Sequence, residues 1–117
     1  MPDSIVIIGS GGVGREIAAT LKHPHFANQY VLEGFIDDGS AAGTIINNLP
    51  ILGNIDWLIQ QKQFKKVIIA IGNPLIREKI YTRLKDADFE AQMMIIKQIS
   101  EHVNFIKKNV IAMIDER

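Results

Sequence analysis

The feature that most constrains this chain is the run Gly9-Ser10-Gly11-Gly12-Val13-Gly14, which stands directly after the β-branched stretch Ser4-Ile5-Val6-Ile7-Ile8. Its glycines at 9, 11 and 14 fit the G-x-G-x-x-G spacing. That pattern carries meaning only where it leaves a strand and opens a helix. Both conditions are met. A short continuous apolar run suits a strand buried on both faces of a parallel sheet. After the loop, Val13, Ile17, Ala18 and Leu21 recur at helical spacing. Each glycine has its own reason: Gly9 for the sharp turn off the strand, Gly11 for close approach of backbone to a diphosphate, Gly14 for tight helix–strand packing. The helix N-terminus then offers unpaired N–H groups and the positive end of its dipole to an anion.

The rest of the chain repeats this alternation. The first helix should end near His23-Pro24, because the residue before proline disfavours helical backbone. Residues 30–37 read as a second strand. Residues 38–53 are rich in Gly, Asn and Pro, and Ile45-Ile46 and Ile51-Leu52 can pair there as a small flap. Asn54 is placed to cap a short second helix. Val67 to Ile71 reads as a buried strand, and Asn73-Pro74 as the start of a third helix lined by Ile76, Ile80 and Leu84. Residues 91–96 read as a fourth strand. Strands alternating with helices predict an α/β fold, a Rossmann-like three-layer domain with a mostly parallel sheet of four to five strands. At 117 residues the chain is one domain or one domain plus a stub. We divide it into a domain over residues 1–98 and an apolar stub over 99–117. The stub reads as a hairpin or as the opening of something longer.

Composition removes several classes. There is no cysteine, so thiolate metal sites, disulfides and cysteine nucleophiles are excluded. Thirteen basic residues balance thirteen acidic ones, which argues against a nucleic-acid partner. No apolar stretch approaches the roughly 20 residues of a membrane span, and no basic region precedes the first apolar run. We therefore expect a cytoplasmic chain without a membrane partner. His23 and His25 lack carboxylate or cysteine neighbours and make a poor metal site. No Ser/His/Asp arrangement for nucleophilic catalysis stands out, so no catalytic residue is assigned.

The ligand candidates are Gly9, Ser10, Gly11, Gly12, Val13 and Gly14 in the loop, Asp37 and Asp38 after the second strand, and Gly72, Asn73 and Arg77 after the Val67–Ile71 strand. In a dinucleotide fold, an acidic residue where Asp37 stands accepts hydrogen bonds from ribose hydroxyls. Asp38-Gly39 also reads as a plain turn. Asn73 explains itself as a helix cap, and Arg77, one turn in, is within reach of a phosphate.

Four segments together resemble a known family. Residues 5–19, Gly34-Phe-Ile-Asp-Asp-Gly39, Leu49-Pro-Ile-Leu-Gly53 and residues 70–81 resemble, in order and spacing, the N-terminal portion of the PglD and NeuD-type sugar acyltransferases of the hexapeptide-repeat superfamily. The resemblance implies a domain that binds a UDP-sugar through the Gly9–Gly14 loop, Asp37, Asp38 and the Gly72-Asn73 loop. It implies that acetyl-CoA and the catalytic histidine belong to a C-terminal left-handed β-helix. Here Ile96-Lys97-Gln98 replaces the family's Ile-His-Pro entry to that helix, and Ile99-Ser-Glu-His-Val103 and Ile106-Lys-Lys-Asn-Val110 look like rungs seven residues apart rather than six. One or two rungs cannot bury a solenoid core. We therefore expect the β-helix to be absent, no cofactor to be bound by this chain, and catalysis to be incomplete without the other half. The apolar C-terminal segment also offers a route to pairing with a second copy. The alternative reading is a small NAD-binding module with a redox or regulatory role.

Overall fold

The computed structural model describes residues 3–24, 28, 30–61, 66–86 and 112–114. The first strand, β1 (Asp3–Ile8), leads through the glycine loop into α1 (Gly12–Leu21) and then into β2 (Tyr30–Ile36). A short strand β3 (Ile45–Ile46) and β4 (Leu49–Gly53) follow, then α2 (Ile55–Gln61), β5 (Lys66–Ile69) and α3 (Pro74–Asp86). A last strand, β6, covers Ala112–Ile114. The sheet order is β3-β4-β2-β1-β5-β6. The central four strands, β4-β2-β1-β5, are parallel, while β3 and β6 are antiparallel additions at the two edges. Among the described residues this is the mostly parallel α/β sheet expected, with two short antiparallel strands at its edges. The expected strand over 91–96 lies outside the described residues, as do residues 99–111 of the C-terminal segment. Ala112–Ile114 lies against β5, Met113 opposite Ile68.

The apolar run of β1 explains the layering. Ile5, Val6, Ile7 and Ile8 are all essentially buried, with alternate side chains on opposite faces. Ile5 and Ile7 join Ile17, Ala18 and Leu21 of α1, with Phe35, Ile51 and Ile68, in one core. Val6 and Ile8 join Ile55 and Leu58 of α2 and Ile80 and Leu84 of α3 in the other. A strand covered by helices on both sides has no polar face to show, which is why its sequence does not alternate.

Local signals set the ends of the elements. The helix α1 stops at Leu21, with Lys22 as its C-cap, two residues before Pro24. The β3–β4 hairpin turns on Asn47 and Asn48, whose φ angles of 51° and 69° lie in the left-handed region that Asn tolerates. Its register sets Ile45 against Pro50 and Ile46 against Leu49. Ile51 extends the pairing, donating to the Thr44 carbonyl and accepting from the Gly43 N–H, and on its other side lies opposite Phe35 of β2.

From β1 the chain steps outward through β2 to β4, then crosses back to the far side of β1 as β5. The order therefore reverses between β1 and β5, and open α/β sheets bind ligands at the carboxyl ends of the strands beside such a reversal. The approach of α1 to β1 is very close. A Cβ added at Gly14 would overlap the Gly9 carbonyl oxygen, whereas one added at Gly12 would meet nothing within 4 Å. Gly14→Ala should therefore cost about 3 kcal/mol or more in urea unfolding, while Gly12→Ala, in the same turn, should leave stability within about 1 kcal/mol or raise it.

Candidate functional site

Three loops leave the carboxyl ends of the neighbouring strands β2, β1 and β5, and all the residues singled out in the sequence lie on or beside them. The glycine loop follows β1. Gly9 holds a φ of +106°, and a Cβ there would sit 2.7 Å from the Ala70 carbonyl oxygen, so the loop after β5 runs directly against it. The Gly9 N–H donates to the Ile36 carbonyl at 2.8 Å. That bond stitches the turn to β2.

Ser10 is turned inward and is 9% exposed. Its N–H donates to Asp37 Oδ2 at 3.0 Å, and its hydroxyl donates to the same oxygen at 2.5 Å. The other carboxylate oxygen, Oδ1, accepts from the Gly39 N–H at 2.8 Å. Asp37 thus clamps two loops together. Burial pushes its carboxyl up, but hydrogen bonds from the Ser10 hydroxyl, the Gly39 N–H and the Ser10 N–H outweigh burial and hold it below its ordinary value of 3.8.

These bonds narrow the part of the loop that can meet a ligand. The N–H groups of Gly9 and Ser10 already have partners in the fold. Gly11 is the N-cap of α1 and makes no side-chain capping bond. The first N–H groups of any α-helix lack intrahelical partners. In α1 they belong to Gly12, Val13 and Gly14, behind a cap that supplies no side chain. Gly11 and Gly12 are exposed, and neither has an atom within 4 Å of an added Cβ. Val13 is half-buried and packs against the α1-side core.

The two aspartates after β2 do different things. Asp38 Oδ1 accepts the Ile55 N–H at 2.8 Å and so anchors the first turn of α2. Asn54 Oδ1 accepts the Trp57 N–H at 2.8 Å, which is the N-cap expected from the sequence. Asp38 also borders a groove of about 590 Å³ lined by Ser40, Leu52, Asn54, Asp56 and Trp57. Trp57 packs so tightly on Gly53 that a Cβ there would lie 2.8 Å from the indole ring. The sequence reading missed this groove. Its only advance sign was the chain's single tryptophan one turn into a helix that follows the aspartate turn.

The third loop is a capping structure. Asn73 Oδ1 accepts from the N–H groups of Leu75 and Ile76 at 2.9 and 3.1 Å. Gly72 is exposed and open. The Arg77 guanidinium donates to the Ile71 carbonyl at 3.0 Å, so it lies back along the end of its own strand. Among the described residues no group of three or more His, Cys, Asp or Glu side chains could hold a metal ion. No helix there is long and apolar enough to cross a membrane.

The family model described as PglD N-terminal domain matches residues 4–84. A solved perosamine N-acetyltransferase from Caulobacter crescentus, in complex with CoA and GDP-perosamine, superimposes with a TM-score of 0.57 at 20% identity, over 74% of this chain and 39% of its own. The acetyltransferase domain of PglB from Neisseria gonorrhoeae, in complex with acetyl coenzyme A, gives 0.56 at 28% identity, over 76% and 42%. RSP, a Rex-family repressor, gives 0.54 at 17% identity over 92% and 63%, a likeness of fold alone. The chain spans about two fifths of the length of the two acetyltransferases. No curated protein sequence matches it significantly.

The Asp37 clamp should be visible in stability. Asp37→Asn should cost about 1–2 kcal/mol at neutral pH through weakened charge-assisted bonds. Because folding lowers the Asp37 pKa, the stabilisation is complete above the ordinary value of 3.8 and is lost as pH falls through the lowered folded one. Urea unfolding of wild type and variant should therefore differ by a constant amount from pH 7 to pH 5. The two should converge only in stronger acid.

Proposed function

The chain belongs to the PglD N-terminal domain family, and on that premise we propose that it binds the nucleotide end of an activated sugar, a UDP-sugar above all, for acetyl transfer. The observation that carries this reading is the open first turn of α1. Gly11 and Gly12 leave room for a diphosphate to approach the backbone, and the helix end behind them offers N–H donors and a positive dipole. The nucleoside would lie over the end of β2, past Asp37 and Asp38, towards the groove that Trp57 lines. Gly72 and Asn73 would border the same crevice from the other side, with Arg77 behind them.

Two further parts of the proposal concern the whole enzyme. The acetyl donor, acetyl-CoA, would be held by the remainder of the parent protein and not by the residues described above. The base that activates the sugar would lie there too. In support, the solved perosamine enzyme carries CoA and a GDP-sugar, and the PglB domain carries acetyl coenzyme A. The GDP-sugar leaves guanosine as the base to weigh against uridine. A second reading, an NAD-binding module, draws on Asp37 at the ribose-reading position of dinucleotide folds.

Thermal unfolding with UDP, UDP-N-acetylglucosamine, GDP, NAD and acetyl-CoA separates these readings. A ligand at about ten times its Kd stabilises the folded state by about 1.4 kcal/mol, which is a rise of several degrees for a domain of this size. The expected outcome is a rise with the UDP ligands and none with acetyl-CoA. A rise with NAD alone would transfer the chain to the redox reading. Gly11→Val should abolish the rise because its side chain enters the diphosphate space. The same variant should stay folded, losing only about 1 kcal/mol of cap preference. Unchanged affinity in that variant would remove the glycine loop from the site. Acetyl transfer from acetyl-CoA to a UDP-amino sugar by the isolated chain should not exceed background.

A further inference from the structure

Asp37 is the residue a ribose would be expected to meet, yet its acceptors are already heavily used. A carboxylate has two oxygens and about four lone-pair directions. Oδ2 accepts twice from Ser10, once from its N–H and once from its hydroxyl, and Oδ1 accepts once from Gly39. That leaves room for one more donor, on Oδ1. A ribose presents two neighbouring hydroxyls, and a free carboxylate would take both. The Ser10 hydroxyl already uses one of the acceptor directions of Oδ2 that a second ribose hydroxyl would need. It is a neutral donor to the same oxygen, supplied by the chain itself and tucked inside the loop.

We propose that Ser10 is a specificity-determining residue: by occupying Asp37 Oδ2 it limits Asp37 to one hydroxyl of the bound nucleoside. The proposal rests on the nucleotide-sugar reading above and deepens it. The Ser10 backbone bond to Asp37 survives any side-chain change, so the loop keeps one of its two ties when the hydroxyl is removed. Ser10→Ala then vacates an acceptor on Oδ2 without adding bulk. A second ribose hydroxyl can take the vacated position.

The experiment is calorimetric titration of the whole chain with UDP and GDP and with the 2′-deoxy and 3′-deoxy forms of each. In the wild type, removing one of the two hydroxyls should weaken binding by about tenfold or more, and removing the other should change it by less than about threefold. In Ser10→Ala, removing either hydroxyl should weaken binding by about tenfold. Asp37→Asn should flatten the dependence on both hydroxyls in either background, which ties the effect to the carboxylate and not to general loosening of the loop. A wild type that loses affinity with either deoxy form would overturn the proposal. So would a Ser10→Ala variant with the wild-type pattern. If neither protein binds any of the six nucleotides, the nucleotide-sugar reading itself falls, and the role of Ser10 falls with it. Binding with an unchanged pattern removes Ser10 alone.

Discussion

The contact on which the rest of this structure depends is the approach of Gly14 to the Gly9 carbonyl. It lets α1 begin almost on top of the strand it follows, with no side chain between them. The consequence for packing is immediate: Ile17, Ala18 and Leu21 reach Ile5 and Ile7, and one of the two cores closes. The consequence for chemistry comes from the same few atoms. A helix that starts so near the end of β1 directs its unpaired N–H groups into the space above the sheet, where the loops after β2 and β5 also arrive. The fold and the proposed anion site thus depend on the same contact, and a larger residue at Gly14 would disturb both.

The electrostatics of that space need explanation, because a carboxylate stands beside the place proposed for a diphosphate. Asp37 does not present a bare charge. Three donors surround it, and their combined effect exceeds the cost of its partial burial. A carboxylate so engaged acts first as a tie between the glycine loop and the turn at Gly39. Its remaining acceptor capacity is what a ligand can use.

Much of this was legible in the sequence, and for reasons that can be named. The β1 run, the glycine spacing, Asn54 and Asn73 are local signals, each explained by atoms within a few residues. They point to the fold class and the crossovers, which the strand order bears out. What the sequence could not display were contacts between distant residues. Nothing local connects Ser10 to Asp37, which are 27 positions apart, or Asp38 to Ile55, which are 17 apart. Both aspartates read from the sequence as ligand candidates, and their structural ties to Ser10 and Ile55 were not visible there. The Trp57 groove was hidden for the same reason, since its walls come from the 38–42 turn and α2. Of the two edge strands, β3 is the Ile45-Ile46 arm of the flap expected from the sequence, whereas β6, with three residues, is too short for periodicity to register.

The contrast between the two aspartates carries the argument furthest. They are neighbours in sequence, and at the end of a strand neighbours point to opposite sides. Asp37 turns towards the glycine loop and the α1 side, while Asp38 turns towards α2. A single Asp-Asp pair therefore fastens the glycine loop on one side and the first turn of α2 on the other to the carboxyl end of β2. The crevice between those layers keeps its shape because the strand end is held from two sides. The open donors of α1 face into that crevice without a side-chain cap of their own. A site built this way is preorganised by its carboxylates, and the anion recognition proposed for it falls to its backbone. Side-chain identity then matters most where the two functions meet, at the Ser10 hydroxyl.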